Sequence, residues 1–341
     1  MEELFDRRLP VYLLIDCSES MVGDGIEAVQ KGMATLMGAL RADPHALETV
    51  WLSVITFADT ATQIIPLTEV TKVILPRLRV RPGTALGAAL LTLHSALRRE
   101  VRLHTPTSRG DWRPIVFLLT DGVPTDEWEK AAKACRSFHS STPLNIIAIG
   151  CGDDVSPYVL KQITNNVLQM KDVTSANLLK AFQWISSSIS TVSTRIGSKP
   201  EEAMALSELP GGALEFPVIP DRPGEIQKKQ LFLVFRCSHT CQPYLMRYRL
   251  SNQGYEPIRT HKVDEDYFAG QSKNNASISL SSASLLGTAP CPYCGNEGNA
   301  MCFSCNTWFC RAPNQNSVIC PGCKKNLTIQ DCAFDVSGRK G

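Results

Sequence analysis

The sequence predicts an α/β domain with a doubly wound, mostly parallel central sheet, followed by a smaller β-rich domain. Three features carry that expectation. Short apolar runs alternate with longer helical patterns from Pro10 to about Ile196. Pro200, Pro210, Pro217, Pro220 and Pro223 then crowd a stretch with Gly211, Gly212 and Gly224. Eight of the 13 cysteines fall between Cys291 and Cys332. At 341 residues the chain is long enough for one full-sized unit and a smaller one.

Composition narrows the function classes. Hydrophobic residues make up 43% and charged residues 20%, and no apolar run approaches the roughly 18 residues needed to cross a bilayer. The formal charge of +2 lacks the basic bias of a dedicated nucleic-acid binder. Met1-Glu-Glu-Leu-Phe-Asp-Arg-Arg has neither the basic start nor the apolar stretch of a secretory signal, so the expectation is a cytoplasmic protein without membrane insertion.

Taken in order, Val11–Ile15, Val50–Phe57, Ile115–Leu119 and Leu144–Ile149 read as strands. Being apolar on both faces, they suit a central sheet covered by helices. Thr62–Leu67 reads as an edge strand and Val167–Met170 as the last one. Helices are expected over Ile26–Arg41, Gly83–Val101, Glu127–Phe138, Pro157–Ile163 and Ala176–Arg195. The first domain spans residues 8–196, a Pro/Gly-rich linker lying over a domain surface spans 197–228, and a β-rich metal-binding domain spans 229–341. In that last domain Gln230–Arg236 and Tyr244–Leu250 read as strands, and Gly270–Ser282 as a Ser/Asn-rich loop or edge region.

In an open α/β sheet, ligands gather at the carboxyl ends of the strands. The loop after the first strand reads Asp16-Cys-Ser18-Glu-Ser20-Met21, so a carboxylate and two hydroxyls recur at alternate positions. Arg81-Pro-Gly-Thr84 and Thr120-Asp121-Gly-Val-Pro-Thr-Asp126 supply two further polar loops. Hard oxygen donors of this kind suit Mg²⁺ or Mn²⁺ that keeps some of its waters. Two carboxylates and a divalent ion roughly cancel in charge, leaving an open position that can take a carboxylate from outside. Asp126 reads as a helix cap or first-turn charge and stays outside the metal set. Cys17, Cys135 and Cys151 read as small buried apolar residues, and His94 and His104 have no partner ligands at useful spacing.

Asp16-x-Ser18-x-Ser20, Gly-Thr84 and Thr-Asp121-Gly, in that order, resemble the von Willebrand factor A domain and its metal-ion-dependent adhesion site over roughly residues 8 to 196. The resemblance implies that Ser18, Ser20 and Thr84 coordinate Mg²⁺ directly or through water. It implies that Asp16 and Asp121 act through water or as counter-charges. Glu19 stands where many members of that family carry Gly, which adds a negative charge near the ion and stiffens the loop.

The tail points to zinc. Cys291-Pro-Tyr-Cys294 and Cys320-Pro-Gly-Cys323 are similar knuckles, and four thiolates around one tetrahedral ion make a closed, structural, zinc-ribbon-like site within 288–335. A segment of about 50 residues buries too little core to fold without such a site. The expected partition is Cys291, Cys294, Cys320 and Cys323 as one Zn²⁺ site, with Cys302, Cys305 and Cys310 forming a second alongside Cys332, unless Cys332 is apolar filling. Cys237-Ser-His239-Thr-Cys241 reads as a hairpin turn without metal.

The adhesion motif followed by this cysteine-rich tail resembles the TerY family of tellurite-resistance proteins across almost the whole chain. That resemblance implies a non-enzymatic scaffold in a tellurite or chemical-stress response, working with a protein kinase, a PP2C-type phosphatase or other stress proteins. Two other readings compete. A Mg²⁺-dependent phosphohydrolase or phosphotransferase would use Asp16 as nucleophile, but it wants a second carboxylate two residues on, where this chain has Ser18. Nucleic-acid binding by the ribbon would use Arg311, Lys324, Lys325, Arg339 and Lys340, a basic set offset by Glu297, Asp331 and Asp335.

Overall fold

The computed structural model describes residues 7–105, 109–141, 144–152, 155–194, 206–217, 230–265, 277–313, 315–329 and 335–340. It falls into two compact units, Met1–Ile226 and Gln227–Gly341.

The first unit is built on a six-stranded sheet. Its strands are β1 (Leu9–Asp16), β2 (Val50–Phe57), β3 (Ala61–Glu69), β4 (Ile115–Thr120), β5 (Asn145–Cys151) and β6 (Asn166–Met170), in the order β3-β2-β1-β4-β5-β6. Every pairing is parallel except β2 with β3. The fully buried β1, β4 and β5 explain the near-continuous apolar runs of their sequences.

Helices α1 (Asp24–Ala42), α2 (Pro44–Thr49) and α6 (Ser175–Thr194) lie over one face of the sheet. Helices α3 (Leu86–Glu100), α4 (Trp128–Ser141) and α5 (Pro157–Lys161) lie over the other. Successive strand residues feed opposite cores: Leu13 and Phe117 pack on the first face, Leu14 and Leu118 on the second. At Gly32 the α1 backbone runs against the Phe182 ring of α6, where a Cβ would sit 2.2 Å from a ring carbon.

Helix α2 lies where no helix was expected. It is short, starts with Pro44 at its first turn and is capped by the Asp43 carboxylate, which accepts from the His45 and Ala46 N–H groups. Helix α3 begins three residues later than expected, because Gly83 and Thr84 are held in the loop by bonds described below.

Residues 206–217, part of the linker expected to lie over a domain surface, pack on the first unit. Leu214 is buried in the α1/α6 core, the Trp184 indole N–H donates to the Ser207 carbonyl, and Gln169 and Glu215 exchange backbone hydrogen bonds of 2.8 and 3.0 Å. That bridge covers part of the outer edge of β6.

The second unit is almost entirely β. Strands β7 (Gln230–Arg236), β8 (Pro243–Leu250), β9 (Tyr255–Lys262), β10 (Ser277–Ser281), β11 (Gly298–Met301), β12 (Trp308–Arg311) and β15 (Asp335–Lys340) make one seven-stranded sheet. A hairpin of β13 (Ser317–Ile319) and β14 (Asn326–Thr328) stands apart. In the expected Ser/Asn-rich region, Ser277–Ser281 forms an edge strand, while 266–276 lie outside the described residues.

Candidate metal centres

The strand order of the first sheet reverses direction between β1 and β4, so a crevice opens beyond their carboxyl ends. Asp16 ends β1, and Asp121 directly follows β4. The loop after β1 turns at once through Glu19–Met21, bringing the two serine hydroxyls to the crevice. Ser18 Oγ and Ser20 Oγ lie 2.8 Å apart, Ser20 Oγ donates to Asp121 Oδ1 at 2.6 Å, and Ser18 Oγ lies 3.5 Å from the same oxygen.

Asp16 is 1% exposed, and both its oxygens are engaged. Oδ1 accepts from the Ser18 N–H at 2.9 Å, and Oδ2 from the Thr120 hydroxyl at 2.6 Å. Burial pushes its carboxyl up to about 6 even though these bonds pull the other way. Such a carboxylate is costly without a counter-cation, so the donor set fits a hard divalent ion.

The third loop reaches the same rim. The Thr84 N–H donates to Thr125 Oγ1 at 3.0 Å, and the Thr125 N–H returns a bond to the Thr84 carbonyl at 2.9 Å. The Thr84 hydroxyl lies so close to Gly122 that a Cβ there would come within 2.5 Å of it. The glycine after Asp121 is therefore a steric requirement for bringing Thr84 alongside. The buried Glu19 carboxylate, expected as an added charge near the ion, accepts from the Gly83 N–H at 3.1 Å and thereby ties the first loop to the third.

Asp126 caps a helix, but not the one that follows it in sequence. Its two oxygens accept from the Gly87 and Ala88 N–H groups at 3.0 and 2.9 Å, at the start of α3. Cys17 and Cys151 are buried, and that burial pushes both thiols up. The side chain of Cys135 lies outside the described residues.

In the second unit eight of the nine described thiols gather in two groups of four, with Cys241 in neither: Cys237, Cys291, Cys294 and Cys310, and Cys302, Cys305, Cys320 and Cys323. Within each group the sulfurs all lie within 4.8 Å of one another. The contacts Cys294–Cys310, Cys302–Cys323 and Cys305–Cys320 measure 3.5, 3.6 and 3.6 Å. A tetrahedron with Zn–S bonds of about 2.3 Å has edges of about 3.8 Å, so both groups fit a zinc ion.

This partition corrects the expected one. Cys291 and Cys294 do not join Cys320 and Cys323, and Cys310 does not join Cys302 and Cys305. The reason lies in the pleat of β12. Trp308 and Cys310 face the core that holds Cys237 and Cys291, while Phe309 between them faces Cys302 and Cys320. Cys332 lies outside the described residues.

The Cys237 turn, expected to be free of metal, supplies a thiol and shares its backbone with three other knuckles. Each of Cys237, Cys291, Cys302 and Cys320 accepts at its carbonyl from the N–H four residues on, at 2.7 to 3.0 Å. Each donates its own N–H to the carbonyl five residues on, at 2.9 Å. The residue four on is left-handed in all four: Cys241, Gly295, Asn306 and Lys324, with φ between 55° and 76°. Thr240 occupies the place of the second thiol in the first knuckle, and Cys310 supplies the missing ligand from β12. A strand ending in Cys, a five-residue turn and a strand beginning was the available signal.

The knuckles also direct N–H groups at sulfur. Ser238 N donates to Cys310 Sγ at 3.3 Å, Thr240 N to Cys237 Sγ at 3.4 Å and Cys323 N to Cys320 Sγ at 3.4 Å. Burial raises the Cys237 thiol, but bonds from Thr240 and His239 bring it down to about 7. At Cys305, likewise, Thr307 and neighbouring thiols outweigh burial and bring it to about 6. Such donors suit a thiolate held on a metal.

An open sheet carrying an acid-and-hydroxyl rim, followed by a β unit with two four-thiol groups, defines a protein of two modules, each with a candidate metal site. The von Willebrand factor type A domain family matches residues 11–184, so the chain belongs to that family; the TerY-C metal binding domain matches residues 227–341, as the resemblance implied. No curated protein matches the chain in sequence.

Among solved structures it is similar to the pilus adhesin SpaC of Lactobacillus rhamnosus GG, with 14% identity over 54% of this chain and 30% of that one, at a TM-score of 0.43. Proximal thread matrix protein 1 of the mussel byssus shares 21% identity over 53% and 48%, at 0.39. The ArnB paralog VWA2 of Sulfolobus acidocaldarius shares 15% over 54% and 45%, at 0.37. The chain spans less than half the length of each of the three.

Proposed function

We propose that the chain is a non-enzymatic, metal-dependent interaction scaffold, in which a Mg²⁺ ion held by Asp16, Ser18, Ser20, Thr84 and Asp121 captures an acidic side chain of a protein partner. The observation that carries this reading is the convergence of Ser18 Oγ, Ser20 Oγ and Asp121 Oδ1 within 2.6 to 3.5 Å at the switch point of the sheet. A bound divalent ion would supply an open coordination position for a carboxylate. Asp121 and the serines orient one another through these contacts, and the buried Asp16 holds the loop through the Ser18 N–H and Thr120.

Mn²⁺ suits the same oxygens. The two thiol groups would hold structural Zn²⁺, giving the second unit a fixed surface. The partners in this reading are a protein kinase, a PP2C-type phosphatase or other stress-response proteins in a cytoplasmic tellurite or chemical-stress system. Among the described residues, no helix is long and apolar enough to cross a membrane. The phosphotransferase alternative is disfavoured by Asp16 itself, since both oxygens of the supposed nucleophile are occupied.

Affinity purification from the native cells with the wild type and Asp121→Ala side by side tests the reading. Partners retained only by the wild type support a metal-dependent scaffold, and identical partner sets remove the rim as the recognition surface. Steady phosphoester turnover by the purified protein, lost in Asp121→Ala, would replace the scaffold by an enzyme.

A further inference from the structure

Leading into Thr84 is an extended segment, Val73-Ile-Leu-Pro-Arg77-Leu-Arg79-Val-Arg81, that belongs to no strand or helix. Its inward residues are Val73 and Leu78, buried in the α1/α6 core, with Leu75 packed against it. Ile74, Arg77 and Arg79 face solvent, Ile74 at 86% exposure, and Arg81 is half-buried. The alternation therefore puts Arg77 and Arg79 on the outside, and Arg81 partly so, of a chain that ends at the metal rim.

The segment is held along its length. Arg41 donates to the Val70 and Val73 carbonyls at 3.2 and 2.6 Å. The Gln30 amide pairs with it as a strand would, donating to the Pro76 carbonyl at 3.2 Å and accepting from the Leu78 N–H at 2.8 Å. The Arg81 N–H donates to the Cys17 carbonyl at 2.9 Å, inside the first metal loop. Three cationic groups are thus fixed on backbone that needs no ordering when a ligand arrives.

From these observations we infer that the ridge of Arg77, Arg79 and Arg81, with Ile74 beyond it, is the docking track for an acidic polypeptide whose coordinating carboxylate sits at the metal rim. This rests on the metal-dependent reading above and names the partner's chemistry. At about 3.3 Å per residue, Arg81, Arg79 and Arg77 lie at most about 10, 17 and 23 Å along the chain from Thr84. An extended ligand would then place further acidic groups at most about three, five and seven residues to one side of the coordinating Asp or Glu. The fixed positive charge speeds encounter and selects acid-flanked carboxylates over isolated ones. An apolar residue at the far end would meet Ile74.

The test is an array of 17-residue peptides with a central Glu in a Ser/Gly/Ala background and one or two further acids stepped outward on either side. It is probed with the full zinc-loaded chain with and without Mg²⁺. The wild type should respond most to acids within about seven residues on one side only. Arg77→Glu/Arg79→Glu should lose that increment, about tenfold in affinity, while keeping the Mg²⁺-dependent signal for the central Glu. Arg77→Gln/Arg79→Gln should lose part of it, and its retained Mg²⁺-dependent signal for the central Glu reports that it is folded.

An increment that survives in both double variants, with Mg²⁺ dependence intact, overturns the track and leaves the metal reading standing. A wild-type signal that ignores both Mg²⁺ and Asp121→Ala overturns the metal reading and the track with it. Tighter binding of a 12-nucleotide single-stranded DNA than of any peptide, lost in Arg77→Glu/Arg79→Glu, would make the ridge a nucleic-acid surface instead and also overturns the proposal.

Discussion

The two units assemble their candidate metal sites in opposite ways. In the first, six strands and six helices bury two large apolar cores, and the oxygen rim sits at the edge of a fold already complete without it. In the second, the thiols are part of the core. Cys237, Cys291 and Cys310 pack with Phe235, Tyr244 and Trp308, while Cys302 and Cys320 pack around Phe309 and Val318. A metal at the rim is a guest on a finished scaffold, whereas a metal among the thiols completes the packing. The donor chemistry matches that difference: oxygen donors, which exchange readily, at the rim, and closed thiol sets in the core.

The largest expected effect tests this contrast directly. Stripping both zinc sites should unfold the second unit, because structural zinc contributes about 10–16 kcal/mol in small domains. The first unit should keep its own transition. Differential scanning calorimetry of the full chain would show one cooperative transition lost and one retained. A single unchanged melt would mean that the thiols do not hold the second unit together.

Next in size is the partition of the thiols. Two groups of four imply two zinc ions per chain. Cys237→Ser and Cys310→Ser should each reduce the zinc content towards one, with the loss confined to the same site, and the double variant should lose no more than either single one. Cys332→Ser should leave the zinc content unchanged. Elemental analysis of the purified variants decides it, and loss of zinc in Cys332→Ser with retention in Cys237→Ser would restore the partition expected from sequence.

That partition shows where sequence reasoning stops. The three rim loops were legible because each follows an apolar strand or opens a helix, so the order of elements alone carried Asp16, Ser18, Ser20, Thr84 and Asp121 to one end of the sheet. The thiols were legible as ligands, but their grouping depends on which face of β12 each residue occupies and on Cys237, more than 50 residues before its partners. Period-two alternation separates Cys310 from Cys302 only once β12 is known to run between two cores. Likewise, a capping carboxylate was readable at Asp126, but the helix it caps lies about 40 residues earlier in the chain and is brought there by the sheet.

At the rim, Asp121→Ala should abolish Mg²⁺ binding yet leave the metal-free melting temperature nearly unchanged, since its carboxylate bonds to rim hydroxyls and belongs to neither apolar core. Gly122→Ala is the subtler probe. A methyl group 2.5 Å from Thr84 Oγ1 and 3.3 Å from its Cγ2 forces that side chain to turn, so Mg²⁺ affinity should fall about tenfold while all five ligand residues remain in place. Isothermal titration with Mg²⁺ would read both. Wild-type affinity in Gly122→Ala would remove Thr84 from the ligand set.

The smallest effect separates a helix cap from a sixth ligand. Asp126 accepts two N–H groups at the start of α3 and lies in the same loop as Asp121. If its carboxylate acts on the helix, Asp126→Ala should lower the melting temperature of the first unit, by about 0.5–2 kcal/mol of stability, and leave Mg²⁺ affinity at the wild-type value. Asp126→Asn keeps one acceptor oxygen and should recover part of that loss. A ligand would behave the other way round, with little change in the metal-free melt and a clear loss of Mg²⁺ affinity in both variants. Because α3 also carries Leu86, buried just beyond Thr84, a frayed first turn would loosen the third rim loop, so the metal titration must be made well below the melting temperature.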